Sequence, residues 1–150
     1  MKKPRIYLDT SVVGGCEDEE FAEASRELLA QAQAGKLVLL VSDLLVSELA
    51  RAPEAVRQRL AGLAPECVEY VPETSEARSL RDCYVAERIV GPAQVNDALH
   101  VAQATVARAD VIASWNFKHI VHYDKIRLFN AVNLREGYSL VDIRSPMEIV

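Results

Sequence analysis

The chain has 150 residues, of which 50% are hydrophobic and 26% charged, a composition typical of one globular domain that argues against long disordered stretches. The formal net charge of −5 argues against a protein that holds nucleic acid by bulk positive charge alone. No apolar run reaches the roughly 20 residues that cross a bilayer, and the N-terminus lacks the apolar core of a signal peptide. We therefore expect a cytosolic protein without membrane contact, with a single domain over residues 1–150.

The cysteines are few and widely separated. They form no Cys-x-x-Cys pair and have no zinc-ligand spacing to the histidines. We interpret them as reduced cysteines without a special role. They are Cys16, Cys67 and Cys83.

The first part of the chain alternates short aliphatic runs with longer helical segments. Residues 6–8 form a short apolar run that predicts a buried strand, and Gly14-Gly15 predicts a turn. Residues 19–34 carry apolar side chains near helical spacing and end at Gly35, a residue typical of a helix C-terminus. The continuous aliphatic run 37–41 predicts a strand that is buried on both faces.

The same alternation continues to the end of the chain. Ser42-Asp43 supplies an N-cap for the next helix, which carries Leu49. Further helices are predicted over residues 53–63, 75–90, 97–108 and 125–135, and further strands over residues 68–71, 111–113 and 139–143. Strands that alternate with helices of this length predict an α/β fold, with a parallel sheet and helices on both faces.

Ligands of such sheets bind beyond the carboxyl ends of the strands, and acids occur at that edge of the predicted sheet. Asp9 directly follows the first strand, and Glu48 lies in the helix after the second strand. Asp97 lies in the first turn of the helix before the fourth strand. Each acid also has a purely structural explanation, as a cap, a solvent-facing residue or an acid at a helix N-terminus. Asp110 precedes the fourth strand, so we expect it at the opposite edge.

Four segments together resemble the PIN domain, the nuclease domain of VapC-type toxins. The likeness covers nearly the whole chain. It implies a three-layer α/β/α fold with a central parallel sheet of about five strands in the order 3-2-1-4-5. It also implies an Mg²⁺- or Mn²⁺-dependent endoribonuclease. The segments are Leu8-Asp9-Thr10-Ser11, Ser47-Glu48-Leu49, Asn96-Asp97-Ala98-Leu99-His100 and Ser114-Trp115-Asn116-Phe117.

Carried over by position, the resemblance makes three acids the metal ligands that activate water for RNA cleavage. Two carboxylates about 4 Å apart repel by about 4 kcal/mol at an effective dielectric near 20, so converging acids require a cation. A divalent cation with hard oxygen ligands removes that conflict. The three acids are Asp9, Glu48 and Asp97.

The chain departs from the family pattern at its fourth acid, where it has Asn116. Asparagine can accept from water or ligate a hard cation through its carbonyl oxygen, but it adds no negative charge. We keep Asn116 among the catalytic candidates, and it leaves open whether one metal or two would bind.

Further polar side chains are candidates for binding the substrate. Thr10 and Ser11 match the small hydroxyl residues beside the first acid of the family, and Lys118 and His119 could position an RNA backbone. The sequence leaves open whether His100 packs in a helix interface or lies near the acids. It also leaves open whether Trp115 stacks on a base or packs in the core.

The resemblance also implies partners, namely RNA, a small antitoxin protein and a second copy of the chain in a homodimer. Asn116 favours an alternative function, a weak or inactive PIN module that binds RNA or a protein without cleavage. A phosphatase or receiver domain that carries an aspartyl phosphate is disfavoured. Asp9-Thr10-Ser11 lacks the second acid of such phosphatases, and residues 68–72 lack the aspartate of a receiver.

Overall fold

The computed structural model describes residues 2–150 and contains one parallel sheet of five strands. The strand order is β3-β2-β1-β4-β5, which confirms the predicted order 3-2-1-4-5. The strands are β1 (Arg5–Leu8), β2 (Val38–Ser42), β3 (Val68–Val71), β4 (Val111–Ala113) and β5 (Asp142–Arg144). The helices are α1 (Thr10–Gly15), α2 (Ala22–Gln33), α3 (Asp43–Leu49), α4 (Glu54–Ala61), α5 (Ser75–Ala86), α6 (Val95–Val106), α7 (Tyr123–Arg135) and α8 (Pro146–Ile149).

Alternate residues of the central strands enter two separate hydrophobic layers. Ile6 and Leu8 of β1 pack with buried side chains of α1, α2 and α3, whereas Tyr7 packs with those of α5, α6 and α7. Both faces of the sheet are therefore covered, as expected for parallel strands with continuous aliphatic runs. This confirms the three-layer α/β/α architecture. No helix among residues 2–150 has the length and apolar character needed to span a membrane.

Helix α6 is the most deeply buried helix of the fold, and it brings two polar residues to the sheet edge. Residues 98–105 are all buried, and the alanines among them permit close packing against the sheet and α5. Asp97 in the first turn of α6 and His100 one turn later are thereby fixed relative to β1.

The amino edge of the sheet carries charges of its own, well separated from the acids at the other edge. The guanidinium of Arg5 pairs with Glu69, and its Nη1 donates to the carbonyls of Ala107 and Arg108 at 3.0 and 2.8 Å. The backbone N–H of Arg5 donates to Asp110 Oδ2 at 2.7 Å. Asp110 thus lies at the amino end of β4, as expected.

Two predicted boundaries near the N-terminus are wrong. Gly14 and Gly15 close helix α1, which Asp9 caps, and they do not form a turn. The pattern missed α1 because glycine is a poor helix former. Helix α2 begins at Ala22 and not at residue 19, because the Asp18 carboxylate accepts from the backbone N–H of Glu20 and holds that segment in a turn.

Two boundaries in the second half also differ from prediction. Helix α5 ends at Ala86 and not near residue 90, because Arg88 adopts a left-handed conformation with φ of 59°. Strand β5 covers Asp142–Arg144 and not residues 139–143, because its pairing is limited to the three residues of β4. Helix α8 was not predicted. The other predicted elements lie within one or two residues of the observed bounds.

Replacing each of the two adjacent glycines of α1 with alanine should change the free energy of unfolding in different ways. A Cβ atom at Gly15 would lie 2.7 Å from Ser25 Oγ and 2.8 Å from Trp115 Nε1, two atoms that hydrogen-bond to each other. A Cβ atom at Gly14 would meet nothing within 4 Å. We expect Gly15→Ala to lower the free energy of unfolding by about 1–3 kcal/mol. Gly14→Ala should be neutral or stabilising by up to about 1 kcal/mol. Urea unfolding of both variants checks this, and equal effects would contradict the packing described.

A candidate metal centre at the carboxyl edge of the sheet

Asp9 is a buried carboxylate with one oxygen fully engaged. It is 5% exposed, and its backbone N–H donates to the Ala113 carbonyl at 3.0 Å, which extends the β1–β4 pairing. Its Oδ2 accepts from Ser11 Oγ at 2.6 Å and from Ser114 Oγ at 2.9 Å. Its Oδ1 has no hydrogen bond among residues 2–150, and His100 Nε2 lies 3.6 Å from it. Asp9 therefore presents one oriented oxygen to the edge of the sheet.

Glu48 shows the same division between its two oxygens. Its Oε1 accepts from Thr10 Oγ1 at 2.7 Å and lies 2.6 Å from His100 Nε2, whereas Oε2 has no hydrogen bond in the described chain. Burial alone would raise the pKa of Glu48. The hydrogen bond and charge of His100, together with the hydrogen bond from Thr10, hold that pKa below its usual value. Glu48 is thus stabilised as an anion.

Asp97 is the acid whose charge is least compensated. Burial raises the pKa of Asp97, and the negative charge of Asp9 raises it further. Opposing effects come from His119, His100 and the Asn116 side chain. Asp9 and Asp97 line the same cleft, and their like charges act on each other there.

These acids line one cleft of about 470 Å³ at the carboxyl edge of the sheet, together with Asn116. A fourth carboxylate, Asp18, also lines the cleft and was not among the sequence candidates. Asp18 lies within four consecutive acids at residues 17–20, and nothing in the sequence distinguishes it from its neighbours. Only the return of the chain after α1 brings it to the cleft.

The two hydroxyls expected to contact substrate hydrogen-bond to the acids. Thr10 Oγ1 donates to Glu48, and Ser11 Oγ donates to Asp9. Ser11 Oγ also accepts from the backbone N–H of Trp115 at 2.9 Å, which ties the chain after β4 to α1. These two residues orient the carboxylates, and their predicted contact with substrate stays a prediction.

Asn116, at the position of the expected fourth acid, caps a turn. Its Oδ1 accepts from the backbone N–H of His119 at 2.9 Å, and its neutral side chain, on the same cleft as Asp97, lowers the pKa of that acid. An aspartate at position 116 would add a like charge beside Asp97. Asparagine therefore reduces the repulsion in the cleft, which is consistent with fewer bound cations than four acids would need.

Two further candidates occupy the turn after β4. Lys118 is exposed, and His119 is half-buried, near enough to Asp97 to lower its pKa. His119 therefore lies beside the acidic cleft, and the contact of Lys118 and His119 with a phosphate backbone stays a prediction.

The structure decides both alternatives that the sequence left open. Trp115 packs in the core, where its ring stacks on Phe21 at a centroid distance of 4.2 Å and its Nε1 donates to Ser25. His100 is 1% exposed and contacts Glu48, so it belongs to the site as well as to the helix interface. Its role depends on contacts across 52 residues of sequence, which no local pattern reveals.

The donor set fits a divalent cation in its chemistry. Asp9 and Asp97 repel each other, and one oxygen of Asp9 and one of Glu48 lack hydrogen bonds, which suits hard cations such as Mg²⁺ or Mn²⁺. Within residues 2–150, no three His, Cys, Asp or Glu side chains already surround a single point closely enough to hold an ion. Binding therefore requires the carboxylates to draw together on the cation.

Comparison with solved structures shows the same fold in two bacterial proteins. VapBC2 from Rickettsia felis, bound to a DNA fragment from its promoter, has a TM-score of 0.59 at 13% identity, covering 94% of this chain and 98% of that chain. VapC20 from Mycobacterium tuberculosis, described as a toxin that cleaves the sarcin-ricin loop, has a TM-score of 0.58 at 16% identity, covering 91% and 98%. No curated protein matches the chain in sequence.

The PIN domain family matches residues 6–126, from β1 into α7. The matched region includes Asp9, Glu48, Asp97 and Asn116 together with the strands that position them. The strand order and the acidic edge of the sheet agree with that match. The chain therefore belongs to the PIN domain family.

Proposed function

We propose that the protein is an Mg²⁺- or Mn²⁺-dependent endoribonuclease, and that it is the toxin of a type II toxin–antitoxin pair with residues 1–150 as one PIN-like domain. The observation that carries the proposal is the convergence of Asp9, Glu48 and Asp97, from three separate elements, on one cleft. Acids placed together against their mutual repulsion are typical of a cation site.

Asp9, Glu48 and Asp97 would hold the cation. A bound Mg²⁺ or Mn²⁺ supplies a Lewis acid and lowers the pKa of a coordinated water. Ser11 and Ser114 orient Asp9 through its Oδ2, and Thr10 orients Glu48 through its Oε1. These hydroxyls fix the carboxylates before substrate arrives, which reduces the reorganisation needed during reaction.

The charge of the cleft makes the metal necessary for binding RNA as well. Four carboxylates line the cleft and the net charge of the chain is −5, so a phosphodiester would be repelled from the unliganded protein. A bound divalent cation would offset part of this negative charge at the phosphate, and Lys118 would add a positive charge from the turn after β4.

The same acidic cleft supports a protein partner. A small antitoxin that inserts a basic side chain among these carboxylates would complement their charge and block access of metal and RNA. The similar Rickettsia felis structure is of a VapBC2 complex. A homodimer remains a prediction from the family resemblance.

A second candidate function is a PIN module that binds RNA or a protein without cleaving it. Asn116 favours this function, because its amide adds no charge to a metal site. The two functions differ in whether added Mn²⁺ produces cleavage of single-stranded RNA.

Asp9→Asn tests the proposed activity directly. The amide keeps the shape of the side chain but removes the charge of a metal ligand. We expect Mn²⁺-dependent cleavage of a fluorescent RNA oligonucleotide to fall at least about 100-fold. Asp110→Asn, at the opposite edge of the sheet, is the matched control and should leave cleavage within about twofold of the wild-type rate.

Activity that persists in EDTA or survives Asp9→Asn would reject the metal-dependent ribonuclease. Mn²⁺ binding without any cleavage of RNA would favour the non-cleaving module.

The opposite pKa directions of two acids predict opposite stability changes in the metal-free protein. The pKa of Asp97 is raised on folding, so its contribution to stability is lost as the pH rises through that pKa. The pKa of Glu48 is lowered, so its contribution is present at neutral pH and lost as the pH falls. In EDTA at pH 7, we expect Asp97→Asn to raise Tm by about 1–3 °C and Glu48→Gln to lower it by a similar amount.

Differential scanning fluorimetry with and without Mn²⁺ provides the measurement. Both variants should show a smaller rise of Tm with Mn²⁺ than the wild type, because each lacks one charged ligand. Shifts of the same sign in EDTA would contradict the electrostatic description of the site.

A further inference from the structure

A buried polar chain runs from the core of the sheet to Glu48. His100 lies between them, with Nε2 at 2.6 Å from Glu48 Oε1 and Nδ1 at 2.7 Å from the hydroxyl of Tyr7. Tyr7 is fully buried on β1, and its hydroxyl also lies 3.0 Å from both Ser42 Oγ and Gln103 Oε1. The imidazole is therefore held at both nitrogens, by the buried Tyr7 hydroxyl on one side and by the partly exposed Glu48 carboxylate on the other.

The contacts of His100 with Glu48 and Tyr7 can form in either protonation state of the imidazole. In the neutral ring, Nε2–H donates to Glu48 and Nδ1 accepts from the Tyr7 hydroxyl. In the protonated ring, Nδ1–H donates to the Tyr7 oxygen, and the hydroxyl hydrogen turns to Ser42 or Gln103. Burial raises the pKa of Tyr7, and the charges of Asp9 and Glu48 raise it further, so the hydroxyl stays neutral.

These hydrogen bonds engage only one oxygen of Glu48. His100 and Thr10 both engage Oε1, which leaves Oε2 without a hydrogen bond in the described residues. A carboxylate that ligates a metal through one oxygen is commonly oriented through the other by groups that do not touch the metal. The Tyr7–His100 pair has that relation to Glu48.

We propose that His100 is a positioning residue of the acidic centre, which, clamped by the Tyr7 hydroxyl, fixes Glu48 with its Oε2 directed to bind a divalent cation. The inference rests on the proposed metal-dependent function and adds two residues that orient Glu48 and are not themselves ligands of the cation. It also explains why a buried aromatic residue of the central strand carries a hydroxyl in an otherwise aliphatic run.

Tyr7→Phe tests the inference with the smallest change, because it removes one oxygen atom and leaves the ring. Tyr84→Phe is a matched control, since Tyr84 is another fully buried tyrosine of the same layer whose hydroxyl bonds to Asn133 and Thr105, outside the cleft. Both variants lose a buried hydroxyl hydrogen bond, so both should lose comparable stability. Only Tyr7→Phe should alter the binding of Mn²⁺.

We expect the Kd for Mn²⁺, measured by calorimetry on the folded full chain, to rise about 3–10-fold in Tyr7→Phe, as for one lost hydrogen bond. His100→Leu should raise the Kd about 10–100-fold, the usual effect of losing a partner of a metal ligand. His100→Gln can place an amide N–H near the position of Nε2, so it should restore part of that loss. Tyr84→Phe should stay within about twofold of the wild type.

Equal Mn²⁺ affinities in Tyr7→Phe, Tyr84→Phe and the wild type would overturn the positioning role while leaving the metal site in place. An equal loss in Tyr7→Phe and Tyr84→Phe would also overturn it, because it would show only a general loss of stability. A wild-type protein that binds no Mn²⁺ would overturn the proposed function and this inference with it.

Discussion

The carboxylates of Asp9 and Asp97 repel each other, and the fold keeps them together. Asp9 is fixed by the pairing of β1 with β4 and by two serine hydroxyls, and Asp97 is fixed because α6 is buried along most of its length. Strand pairing and core packing hold the backbone of both residues in place, while the charge of Asp9 raises the pKa of Asp97. A divalent cation in the cleft would offset this repulsion.

Asp9 and Glu48 are held by hydrogen bonds in the same way. In Asp9 and in Glu48, neighbouring polar groups engage a single oxygen and leave the other without a partner among residues 2–150. Asn116 lowers the pKa of Asp97, where a fourth acid would have repelled it. One oxygen of Asp9 and one of Glu48 are thereby left available to the cation that we propose.

The sequence predicts the centre of the sheet well because β1, β2 and β4 are short, mostly buried runs dominated by aliphatic residues. Residues 68–71 and 111–113 were predicted with the observed bounds, and the acids at the carboxyl edge follow from the parallel arrangement. The strand order came from the family resemblance. Helix α1 was missed because two glycines end it, although Asp9 caps its start.

The parts of the site that escaped prediction are contacts between residues far apart in sequence. His100 and Glu48 are separated by 52 residues, and Tyr7 and His100 by 93. No local periodicity distinguishes a histidine that packs from one that also orients an acid. The presence of Asp18 in the cleft was not predicted for a similar reason, because its position depends on how the chain returns after α1.

Crystals of the protein soaked in Mn²⁺ and measured with X-rays near the manganese absorption edge test directly whether a divalent cation binds in the acidic cleft. We expect one strong anomalous peak between the carboxylates of Asp9 and Asp97, within coordination distance of Glu48. A cleft that shows no peak at saturating Mn²⁺, with the three acids unchanged in position, would contradict it.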